Sequence, residues 1–331
     1  MAMRWWIMLV ALLVLALPLS LLAGQVWISP FGAPVPNAVP ILIELRAPRA
    51  VLALVIGGGL GAAGAAMQGY LRNPLADPGL FGIAPLAALG AVLSFFTGAS
   101  VQEWALPLFA LCGAALAMAL LVLIAGRAVD AKIGDGIGRG ITLFTLAGMM
   151  IASLAGALTS LVISLSPNPF ALSEIVTWLM GALENRSWHD VAIAAPPTLF
   201  GVLLLLRAGP ALDALTLGEA AARSLGVEPA RLQALMVLGV GLVVGAGVAV
   251  AGIVGFVGLI VPHLVRPLTD HRPGSLIGPS ALAGALLVLM ADSVCRLIPL
   301  TGGELRLGIA LSVLGAPFFL LLLLRLRRDL A

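Results

Sequence analysis

Side chains that could perform acid–base or metal chemistry are sparse in this chain. Its three histidines, His189, His263 and His271, lie in or beside apolar segments, and no serine and acid accompany them in the pattern of a catalytic triad. Its two cysteines, Cys112 and Cys295, each lie in an apolar stretch, without the paired spacing of a disulfide framework or a zinc site. We therefore expect no catalytic residue, no metal site and no cofactor.

The sequence also gives little indication that this chain binds nucleotides or nucleic acids. Lys132 is the only lysine among the 18 basic residues, and Ala131 and Ile133 flank it, so the Gly-Lys-Ser/Thr core of a phosphate-binding P-loop is missing. If ATP drives this protein, another chain must supply the ATPase. The formal net charge is only +3, and no basic stripe with interleaved aromatic residues is present, so we expect no nucleic-acid partner.

The composition indicates which elements must position the few polar residues. Of 331 residues, 61% are apolar and 10% are charged, and the mean hydropathy is +1.14. A soluble domain carries about 25% charged residues. Each membrane-spanning helix needs about 20 apolar residues, so about ten spans would use most of the chain. The sequence therefore predicts one all-α polytopic membrane domain over residues 1–331.

Nine apolar blocks follow one another along the chain. The block 232–266 would be about 50 Å long as a single helix, which exceeds a hydrocarbon core of ~30 Å. We therefore divide it near Ala251-Gly252. The ten predicted spans lie near residues 7–27, 47–69, 80–97, 105–125, 141–164, 190–207, 232–251, 252–266, 276–297 and 307–325.

The distribution of basic residues predicts the orientation. With ten spans, both termini lie on the same side of the membrane. If that side is the cytoplasm, 13 of the 18 basic residues fall inside, and the outer segments carry only Arg46, Arg49, Arg186, Arg296 and Arg306. Cytoplasmic loops are enriched in Lys and Arg. We therefore expect both termini to be cytoplasmic.

Two predicted spans are rich in glycine. Gly57 and Gly61, like Gly241 and Gly245, have the four-residue spacing that lets helix backbones approach closely in lipid. A proline-containing bend follows each span, at 73–78 and at 261–263. Because the second and seventh spans run in opposite directions, we expect two halves that resemble an inverted repeat.

Several stretches are more specific than membrane packing requires. They are Leu45–Arg49, Met67–Gly79, Leu217–Gly226 and Gly255–Arg266, the last continuing through Asp270–Arg272 and Ala291-Asp292 to Gly315–Phe319. Together they resemble the FecCD family, permease subunits of bacterial ABC importers for ferric siderophores, haem and vitamin B12. The resemblance covers roughly residues 45–325, and the tract Ala23–Pro30 is similar to the vitamin B12 members.

The chain departs from the family pattern in two places. The family usually has Ser-Gly or Asn-Gly where this chain has Gly82–Leu86, and Glu-Leu-Pro where it has Glu304–Arg306. The resemblance therefore implies the transport class and leaves the chelate open. It implies a type II ABC importer permease in the bacterial inner membrane, working as a homodimer with two ATP-binding subunits and a periplasmic substrate-binding protein.

The resemblance implies that the loop from about residue 213 to 229 contains a coupling helix that docks on the ATPase. A short rigid helix with polar rim residues transmits rigid-body motion better than a flexible loop. The alternative is a solvated interfacial helix without a partner. The residues expected to carry the coupling are Gly218, Glu219, Arg223, Leu225 and Gly226.

The family also implies roles on the outer side and along the path. Arg46 and Arg296 match positions that meet acidic residues of the binding protein. The alternatives are an interfacial anchor for Arg46 and an i,i+4 pair with Asp292 for Arg296. The fifth and tenth spans are expected to line the path. The residues expected there are Thr142, Gly308 and Gly315.

A different functional class remains as an alternative. A secondary transporter or channel that works without an ATPase would need charged residues within the membrane for ion coupling. Apart from Asp292 near the end of a span, the predicted span interiors contain almost none. The pattern therefore favours the ATP-driven importer.

Overall fold

The structure, a computed structural model, describes residues 2–24, 26–28, 37–129, 136–166, 169–298, 300 and 303–329. Lys132 and part of the tract Ala23–Pro30 lie outside these residues. Within them the regular secondary structure is helical, apart from a single β-bridge between Leu300 and Gly303. The prediction of an all-α polytopic protein is confirmed.

We number the helices in chain order. They are α1 (Ala2–Leu22), α2 (Ala38–Leu71), α3 (Ile83–Phe96), α4 (Ala105–Val129), α5 (Gly136–Ser164), α6 (Pro169–Leu179), α7 (Trp188–Leu215), α8 (Glu219–Ser224), α9 (Pro229–Ala251), α10 (Val257–Val265), α11 (Pro273–Leu297) and α12 (Leu307–Asp329). A π-helical turn over Ile41–Arg46 is part of α2, and a short 3₁₀ turn over Arg266–Leu268 continues α10.

Each of the ten predicted spans corresponds to a helix, but not all are full length. Among the described residues, eight helices are long and apolar enough to cross a membrane. The third and eighth predicted spans are the shorter helices α3 and α10. Several predicted limits were also wrong: α1 ends at Leu22 rather than 27, and α2 begins at Ala38 rather than 47. In the same way, α7 ends at Leu215 rather than 207, and α10 begins at Val257 rather than 252. Helix α6 was not predicted.

The glycine-rich helices α2 and α9 lie at the centre of the bundle, and most of their residues are buried. Helix α2 packs along α11 and α7, and α9 packs along α7 and α4. A Cβ atom on Gly57 or Gly61 would overlap the backbone of α11, and one on Gly241 or Gly245 would overlap side chains of α4. Both glycine pairs therefore serve close helix packing, as their spacing predicted.

The predicted division of the block 232–266 is confirmed at Gly252. This residue has φ +69°, a conformation that favours glycine, and a Cβ atom there would also overlap the carbonyl oxygen of Trp178. Helix α9 ends at Ala251, whose carbonyl accepts a hydrogen bond from the amide of Ala182 at 2.8 Å. The chain then turns, and α10 begins at Val257.

The peripheral helices present apolar faces outward. Large apolar side chains on α1, α5, α7 and α12 are exposed in the single chain, including Met150 at 72% and Val313 at 66%. A soluble monomer rarely exposes such an apolar surface. These faces are suited to contact lipid or another membrane helix.

Candidate coupling helix and outer charged cleft

Helix α8 is a single short helix held between two glycine turns. Gly218 precedes it with φ +99°, and Gly226 follows it with φ +86°. Among the described residues, apart from the two neighbours in the chain, no atom lies within 4 Å of a Cβ atom placed on either glycine. Both glycines are therefore required by the backbone conformation rather than by lack of space. The amide of Val227 donates to the carbonyl of Ala222 at 3.0 Å and closes the C-terminal end.

The base of α8 is fixed to the bundle. Ala222 is completely buried, and α8 packs against the end of α7 and against α5. Asp213, near the end of α7, accepts a hydrogen bond from the amide of Gly274 at 2.7 Å, which joins it to the start of α11. A displacement of α8 would therefore be transmitted to three long helices.

The opposite side of α8 is open. Arg223 and Gly226 are exposed, and the apolar side chains of Leu217 and Leu225 are 68% and 65% exposed. Glu219, at the start of the helix, is half-buried and interacts within the chain. The structure thus brings the five predicted coupling residues together on one protruding element with a mixed apolar and charged surface.

Near the N-terminal end of α2, a buried charged network joins α2 to α11. Arg49 Nε and Nη2 donate to the carboxylate of Asp292 at 2.8–3.0 Å, and Arg49 Nη1 reaches Glu304 at 2.7 Å. Arg296 Nε lies 3.2 Å from the same Asp292 carboxylate. Asp292 is fully buried and so has a guanidinium on each side, which offsets the cost of burying its charge.

Arg46 caps the C-terminal end of α1. Its guanidinium donates to the carbonyl oxygens of Leu21, Leu22 and Val26 at 2.6–2.9 Å. These carbonyls have no partner within α1 because they lie at or beyond the helix end, so the arginine satisfies them. Arg296 extends the contact through Ser20 at 2.7 Å.

Both predicted docking arginines are thus largely enclosed: Arg46 is 9% exposed and Arg296 is 3% exposed. The i,i+4 pair of Arg296 with Asp292, the alternative expected from the sequence, is present. The two arginines do not stand free on the surface. They form part of the wall of an outer cleft of about 450 Å³.

The outer cleft carries more positive than negative charge. Among the described residues that line it, four are arginines and two are glutamates, giving a net charge of +2: Arg46, Arg49, Arg186, Arg296, Glu184 and Glu304. Arg186 lies in the loop before α7, where burial lowers its pKa while Asp190 and Glu184 act to raise it. Arg49 had no predicted role, although it lies three residues after Arg46 and the structure places both in α2.

The predicted path residues differ in their exposure. Gly308 and Gly315 are both buried against their own chain, Gly308 against Met180 and Ile253, and Gly315 against the ring of Phe256. Thr142 is exposed near the start of α5, the helix that packs against α8. The glycine face of α12 is therefore turned inward, and the exposed faces of α5 and α12 remain as path candidates.

The loop between α2 and α3 is ordered by hydrogen bonds to one of its own side chains. Asp77 accepts a hydrogen bond from the amide of Gly79 at 2.7 Å, and it also interacts with the amide of Leu259 in α10. Burial raises the pKa of the Asp77 carboxyl, and these two hydrogen bonds act in the opposite direction. Asp77 thus orders the two-proline loop. In the part of the chain that the structure describes, no group of histidine, cysteine and acidic residues could hold a metal ion.

Comparison with known proteins is consistent with this architecture. The model of the FecCD transport family matches residues 10–325. The ABC transporter permease protein YvrB of Bacillus subtilis, whose function is uncharacterized, is 37% identical over 324 residues, covering 95% of this chain and 88% of that protein. The vitamin B12 import system permease protein BtuC of Escherichia coli is 36% identical over 330 residues, covering 98% and 96% of the two chains.

Solved structures agree with the fold. A proposed metal-chelate type ABC transporter in an inward-facing conformation matches with a TM-score of 0.85 at 31% identity, covering 96% of this chain and 97% of that chain. The structure of PsaBC from Streptococcus pneumoniae in complex with Fab matches with a TM-score of 0.52 at 19% identity, which is a likeness of fold alone.

Proposed function

The chain belongs to the FecCD transport family, and we propose that it is the membrane-spanning permease subunit of an ATP-driven importer for a metal chelate. The geometry that carries this proposal is α8: a rigid exposed helix, fixed by its base to α5 and α7, with Leu217, Arg223 and Leu225 presented outward. Such an element can receive motion from a separate ATPase and transfer it to the bundle.

The proposed assembly contains two copies of this chain, two ATP-binding subunits and a periplasmic substrate-binding protein. The exposed apolar faces of α5 and α12 would meet in the homodimer and enclose the path. Thr142 would lie near the gate at the α8 end of α5. Gly308 and Gly315 would act by letting α12 pack against the turns at Gly181 and Phe256. ATP hydrolysis would take place in the partner subunits.

The outer cleft is the proposed contact with the binding protein. Its net charge of +2 suits acidic residues on the partner, and long-range attraction would accelerate association. Arg46 bonds neutral carbonyl groups, and no carboxylate lies within 4.0 Å of its guanidinium among the described residues. Its charge therefore remains available to a partner, whereas Arg296 is offset by Asp292.

A metal chelate is the proposed cargo: vitamin B12, haem or a ferric siderophore. We place vitamin B12 first because the similarity to BtuC, a vitamin B12 import permease, extends over nearly the full length of both chains. The other two chelates remain candidates because YvrB, at a similar identity, has no stated substrate.

The proposed location is a bacterial inner membrane, with both termini and α8 in the cytoplasm. A reporter that is active only in the cytoplasm, fused after residue 331, should be active. The same reporter inserted at Val101, in the loop between α3 and α4, should be inactive because that loop is placed outside. Activity at the loop and none at the C-terminus would contradict the orientation.

Uptake into proteoliposomes tests the transport function. The permease is reconstituted with the ATPase and binding protein of the proposed assembly, and labelled cyanocobalamin, haem and a ferric siderophore are offered in turn. Uptake should require ATP and the binding protein, and an ATPase variant that cannot hydrolyse ATP should abolish it. Uptake driven by a proton or sodium gradient without the ATPase would instead favour a secondary transporter.

A further inference from the structure

A second cleft, distinct from the outer cleft, lies where α2 ends beside the α8 loop. It has a volume of about 310 Å³, within the range of small-ligand sites. Its walls are apolar at Ala65, Pro273 and Leu276, and its polar lining includes Arg72, Arg266 and His271. None of the described residues that line it is acidic. We propose that this cleft, which we call the basic cleft, binds a phosphate-bearing ligand.

The guanidinium of Arg266 is held in position but is not fully satisfied. Arg266 Nη2 donates to Gln68 Oε1 at 2.9 Å. Gln68 is 3% exposed, and its Nε2 donates in turn to the carbonyls of Gly258 and Leu259 at 3.3 Å. Among the described residues, by contrast, the buried Arg266 Nε has no hydrogen-bond partner. Leaving a buried donor unpaired is costly, so a ligand oxygen that reached this atom would be favoured.

The positive charge of the basic cleft is not neutralised by the chain. In the described ranges, no carboxylate lies within 4.0 Å of the guanidinium of Arg72 or of Arg266. The neighbouring Arg272 differs, because it pairs with Asp270 at 3.5 Å and its side chain is 72% exposed. The uncompensated arginines and the preorganised fork of Arg266 fit the oxygens of a phosphate group.

The shape of the basic cleft also fits this chemistry. Arg72 has φ +50° and caps the end of α2, which places it at the point where the chain leaves the central helix. A Cβ atom on Gly69 would overlap Pro273, so α2 and the start of α11 are in close contact beside the basic cleft. Apolar and basic side chains line the basic cleft together at the end of α2, which suits a lipid headgroup. A soluble phosphate could supply the same oxygens.

Because of its position, the basic cleft would let a bound ligand connect several helix ends. Thr216, two residues before Gly218, lines the cleft, and its hydroxyl donates to the carbonyl of Asp213 at 2.7 Å. A bound phosphate would therefore bridge the ends of α2 and α10 to the base of the α8 loop. This inference does not depend on the proposed transport function, because it rests only on the basic cleft and its unpaired donors.

Binding of defined phosphate probes tests the inference. The purified, delipidated permease is titrated with phosphatidylglycerol, with phosphatidylcholine and with inorganic phosphate, and bound ligand is followed by native mass spectrometry and thermal shift. The variants are Arg72→Gln and Arg266→Gln, and Arg272→Gln is the control with the same charge change. Because a charge-assisted hydrogen bond contributes about 1.5–3 kcal/mol, each of the two variants should weaken binding roughly tenfold or more.

The binding results distinguish a lipid headgroup from a soluble phosphate as the ligand. Selective binding of phosphatidylglycerol that both variants weaken, with wild-type binding in the control, supports the lipid source. Saturable binding of inorganic phosphate with the same variant pattern supports a soluble source. Arg72 is exposed, so its variant should fold even if Arg266→Gln does not. Absence of binding by all probes, or equal loss in Arg272→Gln, would overturn the proposal.

Discussion

Replacing Asp292 by asparagine removes the charge on which the outer network depends. Asp292 is the fully buried carboxylate between Arg49 and Arg296, and both guanidinium groups lie within 3.2 Å of it. The asparagine side chain would be similar in size but neutral. Two buried arginines would then lack their shared counter-charge.

The contacts around Asp292 set the expected free-energy cost of Asp292→Asn. Breaking a buried ion pair by removing one partner costs about 3–5 kcal/mol. Arg49 keeps its contact with Glu304 at 2.7 Å, and the outer cleft admits water on one side. We therefore expect the lower end, about 3 kcal/mol, which corresponds to about a 100-fold increase in local opening at 1.4 kcal/mol per tenfold.

Cys295 provides the assay. Its side chain is fully buried on α11, one helical turn from Asp292, whereas Cys112 is exposed and is first replaced by serine. The rate at which a thiol reagent labels Cys295 then reports local opening of this end of the bundle. Asp292→Asn should accelerate labelling about 100-fold at the expected cost of about 3 kcal/mol.

Glu304→Gln is the matched control. Glu304 is only partly buried, and among the described residues its only ion pair is with Arg49, so its loss should accelerate labelling far less. If Asp292→Asn left the labelling rate at the level of the parent or of Glu304→Gln, the buried pair would not hold α2 to α11. The reasoning on the outer network would then be refuted.

Three other changes have expected outcomes. Glu219→Arg should leave membrane insertion intact but weaken co-purification of the ATPase or uncouple hydrolysis from uptake; normal assembly with normal coupled uptake would count against the role of α8. Gly226→Val should cost about 1–2 kcal/mol locally at φ +86° and lower ATPase binding, whereas Gly98→Val, with similar strain at φ +72° in the loop between α3 and α4, should leave ATPase binding unchanged. Arg46→Gln should slow association of the binding protein and reduce its salt dependence without changing basal ATPase activity; unchanged association rates at low salt would exclude Arg46 from docking.

The order and number of membrane elements could be predicted from the sequence because they follow from local composition. Length alone required a break in the block 232–266, and Gly252 was the residue able to adopt the conformation found there. The ends of α1 and α2 were predicted less well. The end of α1 is stabilised by Arg46, which lies 20 or more residues further along the chain, so hydropathy carries no signal for it.

The charged network around Asp292 could not be predicted from local sequence patterns. Arg49 and Asp292 are separated by 243 residues, and only the packing of α2 against α11 brings them together. The i,i+4 pair of Asp292 and Arg296 could be foreseen because one helix contains both residues. Helix α6 was missed because its 11 residues are too few to span a membrane and include polar side chains such as Ser173 and Glu174.

The central claim is that a separate ATPase drives this chain through α8. A site-specific cross-link tests it most directly. Leu225, 65% exposed next to Gly226, is replaced by cysteine in a background where Cys112 and Cys295 are serine, and Val101→Cys, 88% exposed at the opposite end, is the control.

The assembled complex is treated with a short bifunctional thiol reagent, and the ATPase carries single cysteines in the groove expected to receive α8. The account predicts a cross-linked permease–ATPase product from position 225, with a yield that changes when ATP is bound, and none from position 101. Equal yields at the two positions, or no product from position 225 in a complex that hydrolyses ATP and transports, would contradict the account.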